Sequence, residues 1–294
     1  MPDRSPDRSA RSIVVVTDST ASLPDELAAA RGIVVLPLQV VIGADSFDEG
    51  APEATPERVA EALRDYRPVS TSRPSPARFS ELYERLALAG AKQIVSVHLS
   101  GDMSGTLESA QLAGRDAEVR VVCVDSRQVG VATGYAALAA ADAVGTGASV
   151  EQAADAARAR ADASASFFYV DTLEYLRRGG RIGAAAALLG GALAVKPILT
   201  ITDGVVASLE KVRTSGKALA RLADLAVEAA GDGPLDVSVA HLANPERAAT
   251  LADALTERLA GQLGGREVWC AEVGAVLGAH VGPGTIAVCV APHS

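Results

Sequence analysis

Aromatic residues are scarce in this 294-residue chain: one Trp, five Tyr and four Phe, 3% in all. A surface built to stack nucleic-acid bases needs more than that. Positive charge is also short. There are 27 Lys and Arg against 36 Asp and Glu, and the net charge of −9 argues against a binder of phosphate backbones. No apolar run is long enough to cross a membrane. The longest, Ile182–Val195, stops at Lys196-Pro197, short of the roughly 20 apolar residues a spanning helix requires. Cysteine is sparse: Cys123, Cys270 and Cys289 each sit in an apolar strand-like run without CxxC spacing. That pattern excludes a disulfide scaffold or zinc site and fits the reduced thiols of a cytoplasmic protein. The opening MPDRSPDRSAR repeats PDRS and lacks the apolar core of a secretory signal, so residues 1–11 read as a disordered tail.

What is present is aliphatic. Hydrophobic residues make up 49% and charged residues 21%, enough for a packed core in one large domain or two ordinary ones. Short β-branched runs alternate with Ala- and Leu-rich segments. Strands are expected at Ile13–Val16, around Pro37 within Val34–Ile42, at Gln93–Leu99 and at Val119–Val124. Helices follow them. One has Ser22 as its cap and Pro24 in its first turn; others open at Thr55-Pro56 and Ser75-Pro76, and two more cover Leu107–Leu112 and Tyr135–Val144. This alternation predicts a parallel sheet covered on both faces. The region 145–165 holds a further helix and a domain join.

Beyond it the strands are Phe167–Val170, Ile198–Thr202, Val205–Glu210, Val237–His241, Glu267–Glu272 and Thr285–Val290, with helices near 215–229 and 245–263. Asp203-Gly204 reads as a two-residue hairpin turn. The expected architecture is α/β in two domains. A three-layer α/β/α domain with a parallel sheet occupies residues 12–162. A two-layer α/β domain with a mixed sheet occupies residues 163–294.

Hydroxyl residues collect in four segments read as polar loops: Thr17–Thr20, Ser70–Ser75, Ser100–Thr106 and His280–Thr285. In open α/β sheets ligands bind beyond the carboxyl ends of the strands, and the N–H groups of a following helix favour an anion. Gly105 lets a ligand approach the backbone, and Ser104, Thr71 and Ser72 offer hydroxyls. The segments carry one Arg, Arg73, one His, His280, and no Lys; the GxxxxGK[ST] phosphate loop is absent. Neutral hydroxyls with one imidazole suit a single carboxylate. The plainer reading of each Ser or Thr is a helix cap, of Asp18 a turn former, and of His98 and His241 buried strand-end residues.

A second cluster, Asp171–Ile182, contains Arg177, Arg178 and Arg181 beside Gly179-Gly180 and reads as a solvated helix end; Gly183–Val195 after it reads as a buried helix. No catalytic set assembles. GxSxG and HExxH are absent, and Ser104 with His280 lacks an identifiable orienting acid. A serine-dependent acyl hydrolase, or a phosphotransfer enzyme using the same loops, is the alternative reading.

The chain resembles the DegV family of bacterial fatty-acid-binding proteins. The matching residues run in order: Thr17-Asp18-Ser19 with Leu23-Pro24, Pro37-Leu38, Thr71-Ser72-Arg73-Pro74-Ser75, Ser104-Gly105-Thr106, Val124-Asp125-Ser126, Leu173-Glu174-Tyr175-Leu176 with Gly179–Ile182, Lys196–Leu199 and His280–Gly284. The resemblance implies one long-chain fatty acid in an apolar tunnel between two domains, and a carrier role in phospholipid metabolism. The carboxylate would be held by Thr71, Ser104 and His280, with Ser72, Gly105 and Thr106 beside them. It also implies a separate fatty acid kinase that phosphorylates the bound acid, engaged through Arg213. The binding protein itself would supply no catalysis, cofactor or metal, bind no nucleic acid, and touch membranes at most transiently. Arg73 departs from the family pattern, where Gln is frequent, and Gly101-Asp102-Met103 leaves the conformation of the SGT loop open.

Overall fold

The computed structural model describes residues 12–188 and 196–293. The expected tail and the part of the Gly183–Val195 run from residue 189 onward lie outside the described residues.

The chain opens with β1 (Ile13–Asp18), a 3-10 turn at Ser19–Ala21, α1 (Asp25–Arg31), β2 (Ile33–Leu36), β3 (Gln39–Ile42) and β4 (Asp45–Asp48). Next come α2 (Pro56–Arg64), β5 (Val69–Ser72), α3 (Pro76–Leu88), β6 (Gln93–His98), α4 (Thr106–Arg115), β7 (Arg120–Asp125), α5 (Val131–Gly145) and α6 (Val150–Asp162). The second half contains β8 (Ala165–Tyr169), α7 (Glu174–Arg178), β9 (Lys196–Thr202), β10 (Val205–Val212), α8 (Ser215–Ala229) and β11 (Leu235–His241). It ends with α9 (Pro245–Arg258), α10 (Ala260–Leu263), β12 (Trp269–Glu272), α11 (Ala275–Val281) and β13 (Ile286–Pro292).

The first sheet has the order β2-β1-β6-β7, and all its pairings are parallel. Val15, Val95 and Val97 face α5 and α6, while Val16 and Ile94 face α3 and α4 through Phe79, Leu82 and Tyr83. Burial on both faces explains why these strands read as continuous apolar runs. Thr55 and Ser75 cap their helices as expected, accepting from the N–H groups of Arg58 and Arg78. Ser22 does not. The Asp18 carboxylate takes the N–H of Thr20 and starts the 3-10 turn, and Ser22 ends that turn at φ +52°, so α1 begins after Pro24 instead.

The second sheet has the order β10-β9-β8-β13-β11-β12, parallel only between β11 and β12. Tyr169, Ile198, Val237, Val239, Ile286 and Val288 pack under α8 and α9. The alternate residues Phe168, Leu199, Ala287 and Cys289 face the other way, and Cys289 joins the cluster built by α5 and α6. This second face is therefore shared with the first lobe. The β9–β10 hairpin turns at Asp203 and Gly204, both at positive φ (+51° and +78°), as a two-residue turn between twisted strands demands. The molecule is a two-domain α/β fold with one parallel and one mixed sheet.

A third sheet, β4-β3-β5, is antiparallel and was not anticipated. Ser70–Ser72, read as loop, are ladder residues of β5, with Thr71 opposite Val40. The apolar side of this sheet packs with α2 and α11 around Leu38, Val40, Val59, Leu63, Val276 and Ala279. One core cluster thus joins residues from both halves of the chain. His280, also expected in a loop, lies in the last turn of α11. Of the run expected as a buried helix, Gly183–Leu188 forms a 3-10 helix in which Ala185 is the buried residue.

Candidate functional site

Three side chains from three elements line one cavity: Thr71 from β5, Ser104 just before α4 and His280 from α11. Thr71 Oγ1 and His280 Nε2 share a hydrogen bond of 2.8 Å. Ser104 Oγ lies 2.9 Å from Thr106 Oγ1 and accepts from the Thr106 N–H. Burial, aided by the nearby Arg181 charge, pushes the His280 imidazole down to about 4. It is neutral at pH 7 and acts as a polar donor or acceptor, not a cation. Its Nδ1 is buried without a partner.

Buried polar contacts hold these elements in place. Glu49, after β4, accepts the N–H of Val276 at 2.7 Å and so caps the helix that carries His280. Burial raises the Glu49 carboxyl above its ordinary value. Ser19 Oγ accepts the N–H of Leu38 at 2.9 Å. Asp18 and His98 are fully buried. Asp18 accepts from His98 Nδ1 at 2.9 Å and from the Leu99 N–H at 3.1 Å, fixing the exit of β6 toward Ser104. His98 Nε2 continues to Ser96 and then Tyr83. The plainer readings of His98 and His241 therefore hold: neither lines the cavity.

The Asp171–Ile182 segment packs against α11 and the turn after it. A Cβ at Gly179 would fall on the His280 ring, and one at Gly282 (φ +75°) on the Tyr175 ring. Only glycine permits both approaches. Arg181 then crosses to the SGT loop, donating to Met103 O at 3.0 Å, and it lines the same cavity as Thr71, Ser104 and His280. The loop left open by Gly101–Met103 is pinned from the other side as well. Ser100 Oγ donates to Gly204 O of the hairpin turn at 2.7 Å.

Beyond these residues the walls are mainly apolar, with Ser22, Ser166, Ser238 and Thr285 among them. Two adjoining cavities, of about 570 and about 650 Å³ with their openings to solvent included, share Val129, Phe168, Ile201, Leu277 and Val281. The first carries Thr71, Ser104 and His280; the second runs on along β13 to Cys289, whose thiol is pushed up to about 12 by burial. The slot lies along the face that the mixed sheet shares with the first lobe.

Other residues singled out from the sequence fall elsewhere. Ser72 is outside the cavity because strand alternation turns it from Thr71; its hydroxyl donates to Arg73 O. Gly105 is covered by the Arg73 guanidinium, which also lies 3.7 Å from Glu108. Thr106 is buried behind Ser104 and reaches the cavity only through it. Arg213 is exposed just past β10. Sequence reasoning missed Arg181 and Glu49 as site residues. The uncharged character assigned to the site needs correction, because the Arg181 guanidinium stands in its wall. The signal was present in GGR, beside the glycines that bring it there.

The fold is two-lobed α/β with a mainly apolar slot whose wall also carries hydroxyls, an imidazole and a guanidinium. The chain belongs to the DegV family: the family described as "Uncharacterised protein, DegV family" matches residues 12–293. A DegV domain-containing protein of Streptomyces coelicolor is 49% identical over 280 residues, covering 95% of this chain and 98% of the relative. Protein DegV of Bacillus subtilis is 34% identical over 287 residues, 94% of this chain and 98% of that one. Among solved structures, a DegV family protein from Thermus thermophilus, described by its fatty acid binding, superposes with TM-score 0.87 at 33% identity, covering 96% of this chain and 100% of that one. DegV from Bacillus subtilis, described as a fatty acid binding protein, gives TM-score 0.87 at 32% identity with the same coverage.

Proposed function

We propose that this protein binds one long-chain fatty acid, its tail in the aliphatic slot and its carboxylate at Thr71, Ser104 and His280, and presents it to a separate kinase for acyl-phosphate formation. The observation that carries the reading is the presence of those three side chains in the wall of a mainly apolar slot. Each buried CH₂ contributes about 0.8 kcal/mol, so the tail supplies most of the affinity. The hydroxyls, the neutral imidazole and Arg181 offset the desolvation of one carboxylate. Relatives described as fatty acid binding support this ligand class.

Arg213 is the partner contact in this reading. It is exposed just past β10 and lines neither cavity. The hydrolase alternative is disfavoured by geometry: His280 Nε2 is engaged by Thr71, and its Nδ1 has no carboxylate to orient it. Titrating delipidated protein with a long-chain fatty acid tests the proposal. Saturable one-to-one binding, weakened by Thr71→Val, is expected. No binding, or hydrolysis of acyl esters by the protein alone, would overturn it.

A further inference from the structure

The second cavity of the slot carries none of Thr71, Ser104 and His280, yet polar side chains recur in its wall. One wall is the face of the mixed sheet that the first lobe shares. Strand register sets two rows across that face. Ala240, Ala287 and Phe168 stand opposite one another on β11, β13 and β8. Two residues along each strand, Ser238, Cys289 and Ser166 do the same. Side chains directly opposite on one face are within reach of one another. All six line the cavity. The first row is apolar. The second places three polar side chains side by side. On the opposite face, β11 and β13 offer only aliphatic side chains at the intervening positions, with Val237, Val239 and Val288 under α8 and α9.

A plain hydrocarbon tail gives the polar row no partner. Three aliphatic side chains would line it better, because a polar group held against CH₂ groups loses water and gains nothing in return. Ser238 and Cys289 are 2% and 6% exposed. The other hydroxyls of this cavity are taken up by backbone: Ser22 donates to Thr20 O at 3.2 Å, and Thr285 Oγ1 to Gly282 O at 2.8 Å. The row has no backbone acceptor of that kind among the described residues. Ser166 meets the Cys289 thiol, and Ser238 the Tyr135 phenol. A hydroxyl brings one donor and two acceptor sites. Each pair uses one proton and leaves the remaining capacity at the cavity wall. Burial keeps the Cys289 thiol protonated, so it serves as a weak donor and not as a nucleophile.

We propose that this row recognises an oxygen carried on the acyl tail, so that the slot takes a long-chain fatty acid with a hydroxyl remote from its carboxylate in preference to the unsubstituted acid. The inference rests on the fatty-acid reading of the slot and adds the substituent. A tail hydroxyl donates to one oxygen of the row and accepts from another, which restores the hydrogen bonds it gives up on leaving water. The sheet sets where on the chain it must sit. Phe168 lines both cavities, whereas the polar row lines the second alone and lies two residues, about 7 Å, further along the strands. A hydroxyl next to the carboxyl group belongs instead with Thr71, Ser104 and His280.

The test titrates delipidated wild type, Ser166→Ala, Ser238→Ala, the double variant and Cys289→Ser. The probes are a long-chain fatty acid, its mono-hydroxy isomers substituted along the distal half of the chain, and the isomer hydroxylated next to the carboxyl group. At least one distal isomer should bind wild type roughly tenfold tighter than the parent acid. That ratio should fall to one or below in the double variant, fall in part in each single variant, and persist in Cys289→Ser, which keeps a donor. The ratio for the isomer hydroxylated next to the carboxyl group should not move in the double variant. Distal isomers that all bind wild type no tighter than the parent, or a ratio that the serine variants leave unmoved, would overturn the inference and leave the fatty-acid reading standing. Binding of no acid, substituted or not, would overturn the fatty-acid reading and this inference with it.

Discussion

His280 enters the site uncharged, and that has a measurable consequence. In the folded protein its imidazole takes a proton only near pH 4, whereas in the unfolded chain it does so near the ordinary 6.5. Between those values the unfolded state binds more protons, so stability falls as pH drops through the window and is unaffected by this group above it. The difference is at most about 3 kcal/mol. Denaturant unfolding of wild type and His280→Gln from pH 7.5 to 4 should show the wild type losing more stability than the variant below pH 6.5; parallel curves would remove the effect. Ser104 makes a different contribution. Its hydroxyl lines the cavity, and a hydrogen bond to a charged group is worth about 1.5–3 kcal/mol. Ser104→Ala should therefore weaken fatty-acid binding roughly 10- to 150-fold with little change in melting temperature, read by titration and calorimetry.

The helix that carries His280 is held by a residue 227 positions away in sequence. Glu49 accepts the Val276 N–H through a carboxyl oxygen, which a Gln side chain also offers. Glu49→Ala should cost about 1–2 kcal/mol and loosen fatty-acid binding, whereas Glu49→Gln should retain both; melting curves and titrations of the two variants decide. Such long-range capping explains what was legible from sequence and what was not. The strands of the parallel sheet are apolar on both faces and announce themselves, as do the helices opened by Thr55-Pro56 and Ser75-Pro76, whose caps are local. The element α11 has seven residues, an internal glycine and no side-chain cap of its own, so His280 read as a loop residue. The VSTS of β5 is hydroxyl-rich and half exposed, and its pairing with β3 is set by a partner strand that propensity does not see. Thr71, Ser104 and His280 were legible as chemistry because each sits in a distinctive tripeptide. That Ser72 turns away and Arg181 turns in depends on strand alternation and on the approach of two segments about a hundred residues apart.

At the scale of the molecule, the slot runs along the sheet face shared by the lobes, with Thr71, Ser104 and His280 in its wall and Arg213 just past β10, outside the cavity lining. Binding and handover are thus separable: Arg213→Ala should leave fatty-acid affinity unchanged and slow phosphorylation of the bound acid by a partner kinase, measured with the two proteins together. Equal rates would remove Arg213 from the handover. The central claim is the occupant of the slot, and native mass spectrometry of the purified protein, followed by organic extraction, reads it most directly. The account predicts an added mass of one long-chain fatty acid per chain, released as the free acid and diminished in Ser104→Ala. A chain that carries no lipid and stays at its bare mass after incubation with excess fatty acid would contradict it.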